Sequence, residues 1–335
     1  MKEKEKVPSQ INRVVEAIKE GKIFLITSHI NLEGDALGSE LSLAYLLERL
    51  GKIPFIYNTS PLPPHYKFLP LLYFLDKSRY RIKDFDTAIV VDCSDLNRIG
   101  KIKALFTPAK RIINIDHHPD NHYFGTANWI DPKASATGEI IYKLFERMKV
   151  PLDRDVALCL YTAIVADTGR FRNENTTART HQIVSRLLRY DFKSSLVFEN
   201  IYEMYSPARM KLLGLSLGNL RIDKTRGIAW MSVSQNLLRS SHANWDDVEG
   251  FVELMRSIKG IRLAIIFQEI GKSRIKVGFR SREGVDAGNL ARLFGGGGHF
   301  AASGCILEGS LQEVERKVLS KIRRKMGYGR DNSHR

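Results

Sequence analysis

Short apolar runs alternate with amphipathic segments along the first half of the chain. The segments between and after these runs repeat apolar residues at helical spacing, as Leu37, Leu41 and Ala44 do. The runs themselves have the length and composition of buried parallel strands, and they lie at residues 23–26, 53–57, 87–91 and 111–115. This alternation predicts an α/β fold, with a mostly parallel sheet and helices on both faces.

The pattern changes near residue 190. Helical spacing dominates residues 194–219, a strand is expected at 228–233, and a hairpin is expected from 261–270 and 274–280. We therefore predict an N-terminal domain, a helical linker and a smaller C-terminal α/β domain. Their predicted bounds are residues 1–190, 191–222 and 223–330.

Acidic residues and histidines follow the predicted strands at the points where the strands end. Because the carboxyl ends of parallel strands meet at one edge of a sheet, we expect these side chains to lie close together. A single Asp after a strand is more often a cap or turn residue, but that explanation fits recurrence at successive strand ends poorly. The candidate ligands are His29, Glu33, Asp35, Asp92, Asp116, His117 and, after a predicted helix, Asp167.

These candidates offer carboxylate oxygen and imidazole nitrogen but no thiolate. Crowded carboxylates repel one another unless a positive charge lies among them, and a metal ion supplies it most simply. The donor set favours Mn²⁺, with Mg²⁺, Co²⁺ or Zn²⁺ as less favoured alternatives. There are enough donors for two ions, and two ions roughly 3.5–4 Å apart are the usual arrangement for in-line attack on phosphorus.

A second constellation lies near the C-terminus, where a run of four glycines precedes a histidine. Such a run lets the backbone approach a phosphate closely, although most glycine runs are flexible loops. An Arg-Ser pair at the end of the preceding predicted strand adds phosphate donors, so we favour a binding role. The expected substrate-binding residues are Arg280, Ser281, Gly296, Gly297, Gly298 and His299.

Two arginines near the candidate ligands each have two interpretations. Arg98 and Arg170 lie close in sequence to candidate ligands and either could contact a phosphate, but a structural salt bridge is at least as common for such residues. Asn175 or its neighbour Thr176 is the expected N-cap of a helix predicted to start at Thr176.

Composition adds bounds on the class of protein. The chain has 335 residues, 43% of them hydrophobic, and no run approaches the roughly 18 apolar residues that span a membrane. The charged N-terminus lacks the apolar core of a signal peptide. We predict that Cys93, Cys159 and Cys305 are reduced and serve in packing, so we expect a cytoplasmic protein. The net charge of +15 favours anionic partners, although excess Lys and Arg also serves solubility alone.

Taken together, the motifs resemble the DHH phosphoesterase family, and within it the standalone nanoRNase type, which acts as an oligoribonuclease and pAp phosphatase. The resemblance covers nearly the whole chain and rests on five ordered motifs: His29 to Asp35, Val91-Asp92, Asp116-His117-His118, Ala166 to Gly169, and Gly295 to His299. One position departs from the family, whose opening motif usually reads Pro-Asp-Gly-Asp. Here Glu33 replaces the first aspartate, and we expect activity to survive, with an altered metal preference.

The resemblance implies two metal sites that share one carboxylate. His29, Glu33 and Asp92 would hold one ion; Asp35, Asp92, His117 and Asp167 would hold the other. Asp116 would orient the histidines, and His118 would face the scissile phosphate and protonate the leaving group or stabilise charge. The glycine run, His299 and Arg280 would bind the substrate's terminal phosphate or nucleotide, with the active site in the cleft between the domains.

The function implied is a two-metal phosphoesterase in which a metal-bound hydroxide attacks phosphorus. Its substrates would be RNAs of two to five nucleotides, or pAp, which would yield AMP. A phosphodiesterase for linear or cyclic dinucleotides such as pGpG, pApA or c-di-AMP is one alternative, and a binding module without catalysis is another. No membrane partner is expected, and a homodimer is an open alternative.

Overall fold

The computed structural model describes residues 7–76, 84–106, 111–203, 205–282, 284–298 and 300–326. The chain divides into two compact units, residues 1–204 and 205–335. Among the described residues, no helix is long and apolar enough to cross a membrane. The segment expected to be a linker contributes short helices to both units, while the domain bounds given above stay a prediction.

The first unit is a five-stranded parallel sheet in the order β2-β1-β3-β4-β5. Its strands are β1 (Ile23–Thr27), β2 (Ile53–Ile56), β3 (Thr87–Val91), β4 (Arg111–Asp116) and β5 (Ala127–Ile130). Its α-helices are α1 (Val7–Glu20), α2 (Gly34–Arg49), α3 (Thr137–Met148), α4 (Arg154–Asp167), α5 (Ala178–Leu187) and α6 (Ser195–Phe198). The predicted parallel α/β fold is thus confirmed.

Both faces of this sheet are buried, as the continuous apolar runs require. Alternate strand residues such as Ile26 and Ile89 join the core formed with α2, α3 and α4. The intervening residues, such as Leu25 and Val90, pack instead under a 3₁₀ helix at Leu96–Leu105. A side-chain period of two explains how one strand supplies both cores.

The second unit is a six-stranded mixed sheet in the order β10-β11-β9-β8-β7-β6. Its strands are β6 (Arg221–Asp223), β7 (Ile228–Val233), β8 (Leu263–Gly271), β9 (Arg274–Ser281), β10 (Gly297–Gly298) and β11 (Ala302–Glu308). Its α-helices are α7 (Pro207–Leu217), α8 (Gln235–Ser241), α9 (Phe251–Arg256), α10 (Ala287–Arg292) and α11 (Leu311–Met326). The predicted β8–β9 hairpin is confirmed.

Several local features differ from the sequence-based expectation. Strands β5, β6, β10 and β11 were not predicted, because the first three have at most four residues and β11 begins within a run of small residues. The N-cap of α5 is Thr177, whose hydroxyl accepts from the Thr180 amide, so the expected cap at Asn175 or Thr176 was wrong. The Asn175 side chain bonds instead to the acidic site described below.

Candidate metal centre

The sheet order places the acidic loops at one point of the fold. The order 2-1-3-4-5 reverses direction between β1 and β3, and ligands bind at such a switch point outside the carboxyl ends of the strands. His29 lies two residues after β1, and Asp92 follows β3 directly. Asp116 is the last residue of the adjacent strand β4. Three loops therefore deliver their side chains to the same edge.

Helix packing brings the remaining acidic residues to this edge. A Cβ at Gly38 of α2 would lie 2.3 Å from the Cys159 carbonyl oxygen of α4, and one at Gly34 would lie 2.6 Å from the Ala166 Cβ. A Cβ at Gly138 of α3 would lie 2.6 Å from the Ala163 Cβ of α4. Only glycine permits these approaches, and they position Asp35 at the start of α2 near Asp167 at the end of α4.

Asp35 is buried and anchored by the start of α3. Its two carboxylate oxygens accept from the backbone amides of Thr137 and Gly138 at 2.6 and 2.9 Å. These are amides that a helix cannot satisfy internally, and the helix dipole favours a negative charge there. A third contact comes from the Ser39 hydroxyl at 3.2 Å. The carboxylate of Asp35 is thus fixed in orientation before any ligand binds.

His117 lies at the centre of the acidic cluster. Its Nε2 is 3.9 Å from Asp35 Oδ2, 3.7 Å from Asp92 Oδ1 and 3.6 Å from Asp167 Oδ2. These distances exceed a hydrogen bond, and Nε2 is buried without a hydrogen-bond partner among the described residues. A buried nitrogen ringed by three carboxylates at this spacing matches the shape of a metal site, because a cation among them satisfies all four groups.

Backbone contacts set the tautomers of the two histidines that face Asp92. His117 Nδ1 is 3.3 Å from the Ala134 carbonyl oxygen, and His29 Nδ1 is 2.6 Å from that of Ile30. A carbonyl only accepts, so each Nδ1 carries a proton, and Nε2 is the ring nitrogen that faces the carboxylates. His29 Nε2 lies 3.5 Å from Asp92 Oδ2. The Nε2 atoms of His29 and His117 thus flank opposite oxygens of one carboxylate.

Asp116 is fully buried and accepts hydrogen bonds from neighbouring residues. Oδ1 accepts from the His118 ring at 2.7 Å and from the His117 amide at 2.8 Å, while Oδ2 accepts from Asn121 Nδ2 at 2.6 Å. With its oxygens occupied in this way, Asp116 orients the histidine pair. His118, about one-third exposed, keeps its Nε2 free of the Asp116 bond.

Asp92 has a strained backbone at the centre of the cluster. Its φ of +52° lies in the left-handed region, which is unfavourable for a residue with a Cβ, although Asp tolerates it better than most. The Thr137 hydroxyl donates to its Oδ1 at 3.2 Å. The conformation turns the carboxylate towards both His29 and His117.

Asp167 is held by Asn175. The Asn175 amide nitrogen donates to the Ser135 carbonyl oxygen at 2.8 Å and lies 3.2 Å from Asp167 Oδ2 and from the Asp167 carbonyl oxygen. Glu33 is the exposed N-cap residue of α2, and its charge acts on Asp167. Glu33 and His29 belong to neither of the two compact donor groups found among the described residues.

Electrostatics confirm that the cluster is short of positive charge. Burial, followed by the charges of Asp92 and Asp167, raises the pKa of Asp35 well above its ordinary value. Burial also raises the pKa of Asp167 to about 6, against the opposing effect of His117. Burial acts upward on Asp92 as well, but contact with His29 and the nearby histidines hold its pKa below the ordinary range. Adding a cation relieves the repulsion that these shifts record.

The residues fit a divalent metal. Two groups have donor atoms within 4.8 Å of one another: Asp92, Asp116, His117 and His118, and Asp35, His117 and Asp167. Asp116 bonds directly to the His117 amide and the His118 ring, so we regard it as orienting the two histidines rather than coordinating. The donors are oxygen and imidazole nitrogen, so the site suits a divalent cation, and these donors alone leave the choice among first-row metals and magnesium open.

The expected substrate-binding residues lie in the second unit. Arg280 Nε donates to Glu253 Oε1 at 2.8 Å, and Arg280 lines a cavity of about 730 Å³. The Ser281 hydroxyl is buried and donates to the Phe300 carbonyl oxygen at 3.0 Å. Arg280 therefore has an exchangeable partner, whereas Ser281 is committed to the backbone.

The glycine run is an edge strand and a turn. Gly297 and Gly298 of β10 pair with Gly304 and Ser303 of β11. A Cβ at Gly296 would lie 2.2 Å from the Gly304 carbonyl oxygen, and Gly298 has a φ of +140°, so both positions require glycine. Gly297 and Gly298 are exposed. His299 lies outside the described residues.

Several residues that shape the site were not predicted from sequence as part of it. Thr137 and Gly138 anchor Asp35 from 102 and 103 positions away. Asn121 and Asn175 hold Asp116 and Asp167. A signal existed only for the first pair, because the small residues Ser135 to Gly138 precede a helical pattern. Such contacts are otherwise not readable from local spacing.

Two family models match the chain. Residues 23–164 match the DHH family, N-terminal domain, and residues 231–327 match the DHHA1 domain. The chain belongs to the DHH family. The first match contains every proposed metal ligand except Asp167, and the second contains Arg280 and the glycine strand.

Particular relatives extend over nearly the whole chain. It is 30% identical over 317 residues to the bifunctional oligoribonuclease and PAP phosphatase NrnA of Thermus thermophilus, covering 93% of each chain. It is 30% identical over 283 residues to the protein of the same name from Bacillus subtilis, covering 84% of this chain and 88% of that one. An exopolyphosphatase-related protein from Bacteroides fragilis has a similar crystal structure, with a TM-score of 0.85, 27% identity and coverage of 95% and 98%.

Proposed function

We propose that this protein is a two-metal phosphoesterase that hydrolyses very short oligoribonucleotides to mononucleotides and pAp to AMP. The observation that carries the proposal is the unpartnered, buried His117 Nε2 surrounded by the carboxylates of Asp35, Asp92 and Asp167. The names of its Thermus thermophilus and Bacillus subtilis relatives support the substrate class. The net charge of +15 suits anionic substrates.

Two ion positions are part of this proposal. Asp35, Asp92, His117 and Asp167 would hold one ion, and His29, Glu33 and Asp92 would hold the other. We take Mn²⁺ as the working metal, with Mg²⁺ or Co²⁺ as alternatives. Bound divalent ions supply Lewis acidity to phosphoryl oxygens and lower the pKa of water.

The protein's own groups then orient substrate and move a proton. The P–O bond to the leaving nucleoside oxygen breaks as the new P–O bond from water forms, and the departing oxygen needs a proton. His118 is suited to give it, because Asp116 holds its Nδ1–H and leaves Nε2 directed elsewhere. The Asp116 hydrogen bond outweighs burial and raises the pKa of His118, which increases its protonated fraction near neutral pH.

The part of the proposal that concerns the second unit is that Arg280, His299 and the backbone of Gly296, Gly297 and Gly298 bind a terminal nucleotide of the substrate. Arg280 is available for this role because its present partner, Glu253, is a half-exposed carboxylate. Such ion pairs contribute little free energy, so an incoming phosphate displaces Glu253 at low cost.

The test is product release from pAp, pGpG, a five-nucleotide RNA and pyrophosphate, with Mn²⁺, Mg²⁺ or Co²⁺ and after chelation. We expect metal-dependent release of mononucleotides from the RNAs and of phosphate from pAp, and none from pyrophosphate. Chelation should abolish the activity and re-addition of Mn²⁺ should restore it. Turnover that survives exhaustive chelation, or turnover of pyrophosphate alone, contradicts the proposal.

A further inference from the structure

Two arginines close in sequence to candidate ligands, Arg98 and Arg170, form no ion pair with a described residue. Within the described part of the chain, neither the Arg98 nor the Arg170 guanidinium makes a hydrogen bond or an ion pair, and both residues are exposed. Most arginines of the first unit with a described role differ: Arg179 bonds to Glu139 and Arg186 bonds to Glu146. The salt-bridge reading of Arg98 and Arg170 is therefore wrong.

Arg98 lies on the His29 side of the centre. Its carbonyl oxygen accepts from the Ile30 amide at 2.8 Å, which ties the 3₁₀ helix at Leu96–Leu105 to the loop that carries His29. Ile30 directly follows His29 in the chain, so this hydrogen bond places the backbone of Arg98 next to one of the proposed metal ligands. An exposed cation at that position can attract an anionic substrate.

Arg170 lies on the Asp167 side, in a backbone conformation that has a cost. Gly169, Arg170 and Phe171 have φ values of +54°, +66° and +62°, three left-handed residues in succession. Two of them carry a Cβ, and such strain is retained at functional sites when the surrounding structure enforces it. The Arg170 side chain lies against a neighbouring aromatic ring.

That ring belongs to Tyr202, in the π-helical turn at Glu199–Glu203. The Arg170 Cζ lies 4.6 Å from the ring centroid, a cation–π contact that holds the planar guanidinium while leaving its N–H donors available. Arg170 lies three residues after the proposed ligand Asp167, in the turn that follows the end of α4.

We infer that Arg98 and Arg170 bind a second phosphate of the substrate, adjacent to the scissile phosphate, and so select substrates that carry a 5′-phosphate as well as the bond to be cut. The inference rests on the proposed function and specifies its substrate class. A guanidinium suits this task because its fork of donors matches phosphate oxygens. Exposed cations flanking a centre of buried carboxylates also steer a polyanion towards it.

The experiment compares substrates that differ only by that phosphate: pApA against ApA, and pAp against 3′-AMP. The variants are R98A, R170A and the charge-retaining R170K. The control is R189A, which removes an exposed arginine of the same unit that has no described side-chain partner. We expect kcat/KM for pApA and pAp to fall by about 10- to 100-fold in R98A and R170A, mainly through KM.

The substrates without a 5′-phosphate should change by less than threefold in the same variants, and R189A should match the wild type throughout. R170K should recover part of the loss, since it keeps charge but not the fork. If R98A and R170A lowered kcat/KM equally for both substrates of a pair, the arginines would act on the scissile phosphate, and the inference would be wrong. It would also be wrong if kcat/KM fell for neither substrate.

Dissociation constants measured by calorimetry for pApA and ApA separate this inference from the proposed function. If the wild type turns over neither compound, the proposed function fails. A tighter affinity for pApA that disappears in R98A and R170A would still support the arginine site. Equal affinities for pApA and ApA in the wild type would contradict it.

Discussion

The two units expose their functional residues in opposite ways. In the first, the proposed metal ligands Asp35 and His117 are fixed by hydrogen bonds: Asp35 accepts two helix-terminal amides, and His117 is directed by a carbonyl. In the second, Gly297 and Gly298 are exposed, and Arg280 holds a partner that an anion can replace. Side chains that bind metal ions need a fixed geometry, whereas residues that bind and release a substrate need to be accessible to it.

We expect the largest effect when the carboxylate shared by the two proposed ion positions, that of Asp92, is replaced. D92N keeps the left-handed backbone, which Asn tolerates as well as Asp, but weakens both ion positions at once. We expect kcat/KM on pAp to fall by about three orders of magnitude and Mn²⁺ bound at equilibrium dialysis to drop. D84N, at an exposed aspartate, is the control. Near-normal turnover in D92N would overturn the assignment of Asp92 as the bridging ligand.

A second prediction concerns a buried carboxyl outside the ligand sets. Glu40 of α2 is fully buried, accepts from Asn58 Nδ2 at 2.8 Å, and leaves Oε1 without a partner among the described residues. Burial raises the pKa of Glu40 to about 8. The folded protein thus keeps a proton that the unfolded chain releases above its ordinary pKa, and stability from this group falls as pH rises from about 4.5 to 8.

E40Q removes this ionisation with little change of shape. Near pH 5 it should unfold at nearly the same denaturant concentration as the wild type, and at pH 8 it should be more stable, by on the order of 4 kcal/mol at most. Denaturant unfolding with chelator at both pH values measures the difference. The contrast is E139Q: Glu139 bonds to Arg179 and Thr180, so its variant should lose stability at both. A pH-independent effect of E40Q would show that Glu40 is ionised in the fold.

The features that were predicted correctly from the sequence depend on residues that are close together in the chain. Strands that end in Asp92 and Asp116, and the loop from His29 to Asp35, are visible because period, apolar content and strand-end chemistry act within a few residues. Four of the five strands of the first sheet followed from the same signals. The parallel topology followed from alternation with helices.

Contacts between distant positions were not recovered. Asn175 was predicted to be a candidate helix cap, because an Asn just before a helical pattern often has that role. In the structure its side chain instead donates to Asp167 Oδ2, a contact that the local sequence does not indicate. The Arg170–Tyr202 stack joins residues 32 apart through a strained turn that no local pattern announces. In the second unit, β11 was hidden by its own small residues, which are poor strand formers in isolation.

The smallest expected effects compare two helical glycines, one in each unit. Gly38 faces the Cys159 carbonyl oxygen of α4 at 2.3 Å from an added Cβ, whereas nothing lies within 4 Å of one at Gly214 in α7. G38A should cost about 1–3 kcal/mol through overpacking, and G214A should gain up to about 1 kcal/mol from helix propensity.

Urea unfolding of both variants measures these stabilities, and the same preparations report activity on pAp. Because Asp35 lies one turn before Gly38, displacing α2 from α4 also moves a metal ligand, so G38A should lose activity even where it remains folded. G214A should retain it. If G38A proved as stable and active as G214A, the close contact between α2 and α4 would not be what positions the acidic residues. The loops at the strand ends would then be the remaining explanation for the rigidity of the first unit.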